Sequence, residues 1–214
     1  NNEAAIPKLV QIYERLGRPD DGLAFLAQLN KSNAKKTLLI AEAGLAERAG
    51  KDERAITALN RLIQHYPPVE ESWLLRRAAL FYQRGDIVQA WQSLTEVEKK
   101  MSTNRGDYWR TYAELSRLID KKDTAERAYQ HLTDEFLFSD ADLMNYSTLQ
   151  IDSDPLNAAF LNELSFRLYS QDNAAIGVLF LYQKAHHLDG ATQFLASLTD
   201  KELAKLEKNA LFLE

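Results

Sequence analysis

The sequence predicts an all-α protein built as a solenoid of stacked helical hairpins, and three observations lead there. Helix breakers are scarce: the chain has 8 glycines and 5 prolines, about half the combined frequency of roughly 12% that these residues have on average. Gly17, Gly50 and Gly85 follow one another at intervals of 33 and 35 residues, and a further 35 residues lead to Asp120. Apolar residues around these four points recur at the i, i+4, i+7 spacing of an α-helix.

Each repeat begins with a helix that carries one apolar stripe. In it, a large apolar residue is followed four positions later by a smaller one, in the pairs Ile6 and Val10, Leu39 and Ala43, Leu74 and Ala78, and Trp109 and Ala113. The second helix carries a small residue and then larger ones on the same face: Gly22, Leu26 and Leu29; Ala55, Leu59 and Leu62; Ala90, Leu94 and Val97; Ala125, Tyr129 and Leu132. Facing small residues let the two helices of a hairpin approach closely, and the larger side chains pack between repeats.

The turns and the repeat boundaries follow from the same register. Gly17, Gly50 and Gly85 are predicted to end helices in the left-handed conformation, which glycine adopts without steric penalty. The first region, 1–139, is predicted to hold four repeats at approximately 3–35, 36–70, 71–105 and 106–139. The second region, 140–214, is predicted to continue the solenoid as divergent repeats and a C-terminal cap, with helices at 140–151, 155–170, 173–187, 190–197 and 200–211.

The third repeat resembles the tetratricopeptide repeat family most closely. The residues that carry the resemblance are Ala78, Phe81, Gly85, Ala90, Leu94 and Val97. It extends over 6–136, with departures at Gly22, where the family has Ala, and at Asp120, where it has Gly. The resemblance implies a right-handed α-solenoid that acts as a non-enzymatic protein-binding scaffold.

In this family the first helix of each repeat lines a concave binding surface. Transferred residue by residue, the candidates for partner contact are Gln11, Glu14 and Arg15; Ile40, Gly44, Glu47 and Arg48; Leu75, Ala79, Tyr82 and Gln83; and Asp107, Arg110, Glu114 and Arg117. For each of these the alternative is a solvated helix face. The carboxylate-clamp positions of the family hold Pro7, Gln11, Ala41, Ser72 and Arg76, and because only Arg76 fits, a chaperone-tail adaptor is disfavoured. Trp91, next to the small residue Ala90, is a candidate contact aromatic.

Composition and motifs exclude most other chemistry. With Cys 0 the chain has no disulfide framework, thiolate metal site or cysteine nucleophile, and its net charge of -5 gives no reason to expect nucleic acid. Residues 44–52 depart from the phosphate-binding loop in glycine spacing and in the residue after Lys51. His186 and His187 are adjacent on a helix and point about 100° apart, so no metal site is expected. No apolar run reaches the roughly 18 residues of a membrane span. We therefore expect no catalytic residue, no metal and no cofactor.

A finer resemblance links segments 107–110, 113–115, 125–129 and 198–203 to the periplasmic repeat region of Pel-type exopolysaccharide export proteins. It implies a periplasmic scaffold within an outer-membrane export system. Its partner would be a polysaccharide-modifying enzyme, a deacetylase or hydrolase, and whether polysaccharide itself contacts this segment stays open. The alternatives are a helical superstructure domain of a cell-wall enzyme such as a lytic transglycosylase and, for localisation, the cytoplasm. Because the chain starts Asn-Asn-Glu, we expect it to be part of a longer protein.

Overall fold

The computed structural model describes residues 5–30, 35–100 and 104–210, in which it has thirteen α-helices and no strand. The predicted all-α fold of stacked helical hairpins is confirmed. The chain divides into two compact units, Asn1–Thr103 (unit 1) and Asn104–Glu214 (unit 2), and the boundary falls between the third and fourth predicted repeats. The proposed division into a four-repeat region and a divergent region stays a prediction.

Unit 1 contains three helical hairpins. Their helices are α1 (Ala5–Arg15), α2 (Pro19–Asn30), α3 (Lys36–Arg48), α4 (Asp52–His65), α5 (Glu71–Gln83) and α6 (Ile87–Lys100). The small residues predicted at the close contacts are buried: Ala43, Ala55 and Ala90 have no exposed surface. Large side chains such as Trp73 fill the remaining core.

The family departure at Gly22 has a steric reason in unit 1. A Cβ at this position would lie 2.9 Å from Cδ2 of Leu45 and 3.0 Å from Cβ of Tyr13. An alanine would therefore overlap its neighbours unless a helix moved. One member of the predicted buried stripe is wrong, because Leu29 is 43% exposed. The buried face of α2 runs through Leu26 and Asn30 instead, so Leu29 lies beside it.

The predicted hairpin turns are confirmed. Gly17, Gly50 and Gly85 have φ values of 65°, 66° and 79°, and Asp120 takes the same left-handed conformation with φ of 57°. At Gly50 the backbone N–H donates to the carbonyl of Glu47 at 3.0 Å, and the N–H of Lys51 donates to that of Ala46 at 2.8 Å. This pair of hydrogen bonds satisfies carbonyls that the helix end leaves open.

Unit 2 pairs its first six helices and adds a seventh that packs on α11. Its helices are α7 (Gly106–Leu118), α8 (Lys122–Asp134), α9 (Asp140–Gln150), α10 (Pro155–Tyr169), α11 (Asp172–Lys184), α12 (Leu188–Ala196) and α13 (Asp200–Ala210). The five helices predicted in 140–211 are confirmed to within a few residues, although position 211, like the predicted start at residue 3, lies outside the described residues. Asp154 caps the start of α10: its side chain accepts from the N–H of Asn157 at 3.0 Å, and Pro155 is the first helical residue.

The aromatic residues of α7 differ from the predicted stripe. Trp109, placed on the buried face by its spacing, is only half-buried, with its ring 4.2 Å from that of His131. Tyr108 and Tyr112 are buried instead, stacked at 5.7 Å. They lie four residues apart and next to Ala113, which is buried as predicted, so the buried face of α7 extends towards Tyr108 and Tyr112 and leaves Trp109 at its edge.

Candidate functional site

The candidate site of unit 1 is a groove on its first helices. The groove has a volume of ≈ 580 Å³ and is lined by residues of α1, α3 and α5: Pro7, Val10, Gln11, Glu14, Thr37, Ile40, Ala41, Gly44, Glu47, Arg48 and Arg76. The size lies within the roughly 300–1,000 Å³ of typical ligand sites. Because α1, α3 and α5 are the first helices of successive hairpins, the repeat itself aligns the lining residues.

The groove floor is apolar, and a glycine shapes it. Val10 and Ala41 are largely buried, whereas Ile40 is 36% exposed. A Cβ on Gly44 would meet Nη1 of Arg48 at 3.3 Å and Nη2 of Arg76 at 3.8 Å. Gly44 therefore leaves space for the Arg48 guanidinium to lie against the α3 backbone, and the Arg76 guanidinium lies near it at ordinary contact distance, so that both supply hydrogen-bond donors next to an apolar surface.

Two ion pairs form the polar rim and connect consecutive first helices. Arg48 of α3 donates through Nε to a carboxylate oxygen of Glu14 on α1. Arg76 of α5 donates through Nε and Nη2, each at 2.9 Å, to the two carboxylate oxygens of Glu47 on α3. All four side chains are at least a quarter exposed, so each pair contributes little to stability. Because the charges balance, the groove has no net charge to steer a ligand.

The structure brings together only some of the predicted contact residues. Gln11, Glu14, Glu47 and Arg48 line the groove together with Ile40 and Gly44. Arg15, Tyr82 and Gln83 are exposed on the same unit but are not part of its lining. Trp91 is half-buried on α6, a second helix. Contact of any of these residues with a partner stays a prediction.

The candidates on α7 belong to unit 2 and have different surroundings. Arg110 is held within the fold: its Nε donates to both carboxylate oxygens of Asp142, at 3.1 and 2.8 Å, and its Nη2 donates to the carbonyl of Leu137 at 3.0 Å. Glu114 and Arg117 are exposed. A hydrogen bond from Arg105 lowers the pKa of Asp107. The structure thus gives Arg110 a structural contact that the sequence analysis did not anticipate.

Opposite charges one repeat apart are a signal that sequence reasoning missed. The pairs Glu14 and Arg48, Glu47 and Arg76, and Arg110 and Asp142 are separated by 34, 29 and 32 residues. In a stack of repeats, residues separated by one period lie side by side on neighbouring first helices. A search for acid and base residues at the 33- to 35-residue period would have identified Glu14 and Arg48, whereas the other two pairs fall short of that period.

The remaining polar features are those of helix ends. Nδ1 of His187 accepts from the N–H of Gly190 at 3.0 Å and caps α12, and His186 occupies a left-handed turn. Across 5–30, 35–100 and 104–210, no three His, Asp or Glu side chains are grouped so that they could hold a metal ion. Within these same ranges, no helix is both long enough and apolar enough to cross a bilayer.

Comparison with known proteins supports the coarse resemblance. No curated protein matches the chain. Among solved structures, a MamA protein is 18% identical with a TM-score of 0.55, and the match covers 82% of this chain and 94% of MamA. A second, MamA 41-end from Desulfovibrio magneticus RS-1, is 13% identical with a TM-score of 0.52. This match covers 80% of the present chain and 94% of the MamA chain. At these identities the likeness establishes the fold alone, and the finer likeness to the Pel export protein PelB has no support.

Sequence models of families give the assignment. A tetratricopeptide repeat model matches residues 61–214, and a second tetratricopeptide repeat model matches residues 42–68. The first match alone covers more than half of the chain and includes all of the divergent helices of unit 2. The chain therefore belongs to the tetratricopeptide repeat family, whose members are protein-interaction scaffolds.

Proposed function

We propose that this chain is a non-enzymatic scaffold that holds an extended segment of a partner protein in the groove of α1, α3 and α5. The observation that carries the proposal is the groove itself, which combines an apolar floor at Ile40 with guanidinium donors at Arg48 and Arg76. An extended peptide offers apolar side chains for such a floor and backbone carbonyls for such donors. The even charge balance favours recognition by shape and hydrogen bonds over attraction of a strongly charged ligand.

We further propose the setting implied by the finer sequence resemblance. In it, the chain is the periplasmic part of an outer-membrane exopolysaccharide export system, and its partner is a polysaccharide deacetylase or hydrolase. The support is the sequence resemblance alone, in segments 107–110, 113–115, 125–129 and 198–203, to export proteins of the Pel type. The scaffold would bring the modifying enzyme to the polymer during export without itself carrying out chemistry.

The test uses the full chain as bait in envelope extract of the organism that makes it, followed by titration of the purified partner. Ile40→Asp places a charge on the exposed groove floor, so we expect the Kd to rise about tenfold or more with the fold intact. Val88→Asp is the matched control, because Val88 is also β-branched and 51% exposed but lies on α6, outside the groove.

Three outcomes are distinct. A polysaccharide-modifying enzyme that loses affinity for Ile40→Asp but not for Val88→Asp supports both parts of the proposal. A partner that binds both variants as tightly as the original chain overturns the groove as its site. A groove-dependent partner of another class overturns the export setting and leaves the scaffold proposal supported.

A further inference from the structure

In the connection between α8 and α9, Phe136 takes the left-handed backbone conformation that the described part of unit 1 shows at its turn glycines. It ends α8 with φ of 55°, its N–H donates to the carbonyl of Thr133 at 3.2 Å, and the N–H of Leu137 donates to that of Leu132 at 2.8 Å. Gly17 and Gly50 end their helices with the same two hydrogen bonds. The left-handed region is sterically unfavourable for a bulky side chain, so Phe136 destabilises this turn relative to glycine.

No burial offsets this strain. The Phe136 side chain is 85% exposed, more than any other large apolar side chain that the structure describes. Its ring contact is with Phe138, at a centroid distance of 6.4 Å. Strain at a residue that gains no packing indicates a role outside the fold.

The loop that carries Phe136 is held firmly from both sides. Nη2 of Arg110 donates to the carbonyl of Leu137 at 3.0 Å, and the hydroxyl of Tyr169 donates to the carbonyl of Phe138 at 3.4 Å. Leu137 packs closely on Gly106: a Cβ added to Gly106 would lie 3.3 Å from the Cβ of Leu137. The ring is thus presented on a fixed backbone, which lowers the entropy lost when a partner binds it.

Two carboxylates directly precede Phe136 in the chain, and their positions are also unfavourable for the fold. Asp134 and Glu135 are exposed at the C-terminal end of α8, where the helix dipole disfavours negative charge. A cationic partner would compensate these charges, whereas an anionic membrane surface would repel them. These charges therefore indicate which kind of surface covers the ring.

We propose that Phe136, preceded by Asp134 and Glu135, is a docking anchor for a partner protein that carries an apolar pocket rimmed by Lys or Arg. The aromatic ring fills the pocket, and the two carboxylates pair with the basic rim. This surface belongs to unit 2 and is independent of the groove on unit 1, so either can fail without the other.

The experiment places the photoreactive residue benzoylphenylalanine at position 136 of the full chain in its own cells. The matched control places it at Phe180, an exposed aromatic of α11 with 59% exposure. We expect a protein adduct from position 136 that position 180 does not give, with the cross-link in an apolar pocket beside Lys or Arg. With the purified partner, Phe136→Ser and the pair Asp134→Lys and Glu135→Lys should each raise the Kd about tenfold, and Phe180→Ser should not.

Other results overturn the proposal. These are the absence of an adduct specific to position 136, an adduct with lipid, polysaccharide or a second copy of this chain, and a Kd that Phe136→Ser leaves unchanged. A measurement without ligand adds a separate check: Phe136→Gly should raise the Tm by about 2 °C, because it relieves the left-handed turn and removes no buried contact. A lower Tm would mean that the ring serves the fold, and it would refute the anchor.

Discussion

The two units build helical hairpins in different ways. Unit 1 turns its chain on glycines, at Gly17, Gly50 and Gly85, and packs its hairpins through small apolar residues. Unit 2 uses no glycine at its left-handed positions, which are Asp120, Phe136, Ser170 and His186. The repeat architecture therefore tolerates a local conformational penalty at these four turns of unit 2, and other interactions in that unit compensate for it.

Polar side chains provide part of this compensation. Nδ2 of Asn162 donates to the carbonyl of Ala158 at 3.0 Å and also bonds Oγ of Ser147, and Asn162 and Ser147 are buried. Asp142, 5% exposed, accepts from Arg110 and from the N–H and hydroxyl of Ser139, at 2.8 and 2.7 Å. Such networks fix helix positions through geometry, and they act in addition to close contacts at buried alanines, which both units have.

The largest effect should follow from breaking the Asp142 network. Asp142→Ala leaves the N–H of Ser139 and Nε of Arg110 without their acceptor. Because the Arg110 side chain is 42% exposed and can be solvated, the unpaired Ser139 groups dominate, and we expect a loss of about 2 to 3 kcal/mol in the free energy of unfolding. Glu47→Ala in unit 1 is the matched control, since it also removes an Arg partner but from a side chain that is 25% exposed. There the loss should stay below about 1 kcal/mol. Urea unfolding followed by circular dichroism measures both, and equal losses would contradict the contrast between the units.

The second prediction tests the alanine contacts of unit 1. Ala90 has no exposed surface, so Ala90→Trp must force α5 and α6 apart, and we expect a loss of about 1 to 3 kcal/mol. Val88→Trp, two residues earlier and 51% exposed, should leave the Tm nearly unchanged. If Ala90→Trp melts at the same temperature as the original chain, close packing does not hold the hairpin together.

These contrasts show what could be predicted from sequence. Local periodicity predicts the turns at Gly50 and Asp120 and the burial of Ala43 and Ala55. It succeeds because small residues at those spacings have few alternative uses. The contacts of Arg110 and Phe136 could not be predicted in the same way. A charged or aromatic residue on a helix face or turn can serve the fold or a partner, and only the neighbouring repeat shows which acceptors lie within reach.

The third prediction exchanges the turn chemistry of the two units. Asp120→Gly should stabilise unit 2 by about 0.5 kcal/mol, because glycine relieves the left-handed strain at a cost in chain entropy. Gly50→Ala should destabilise unit 1 by about 1 kcal/mol, because alanine is sterically unfavourable in the left-handed conformation. No neighbouring atom lies within 4 Å of the added Cβ, so new contacts do not contribute to this effect. Thermal melts of the two variants should shift in opposite directions. Shifts of the same sign would mean that contacts, rather than backbone conformation, decide these turns.

The smallest effect concerns alkaline pH and is specific to unit 2. Burial raises the pKa of Tyr129, Tyr146 and Tyr182 above the ordinary value of 10.0. Above pH 10 the unfolded chain releases these protons while the folded chain retains them, so the unfolded state is favoured progressively as pH rises. The tyrosines' contribution is therefore fully present below pH 10 and is lost above it. Tyr129→Phe removes one of the three groups, and urea unfolding between pH 9 and about pH 11 should show a shallower decline than in the original chain. Identical declines would show that ionisation of Tyr129 is not linked to folding.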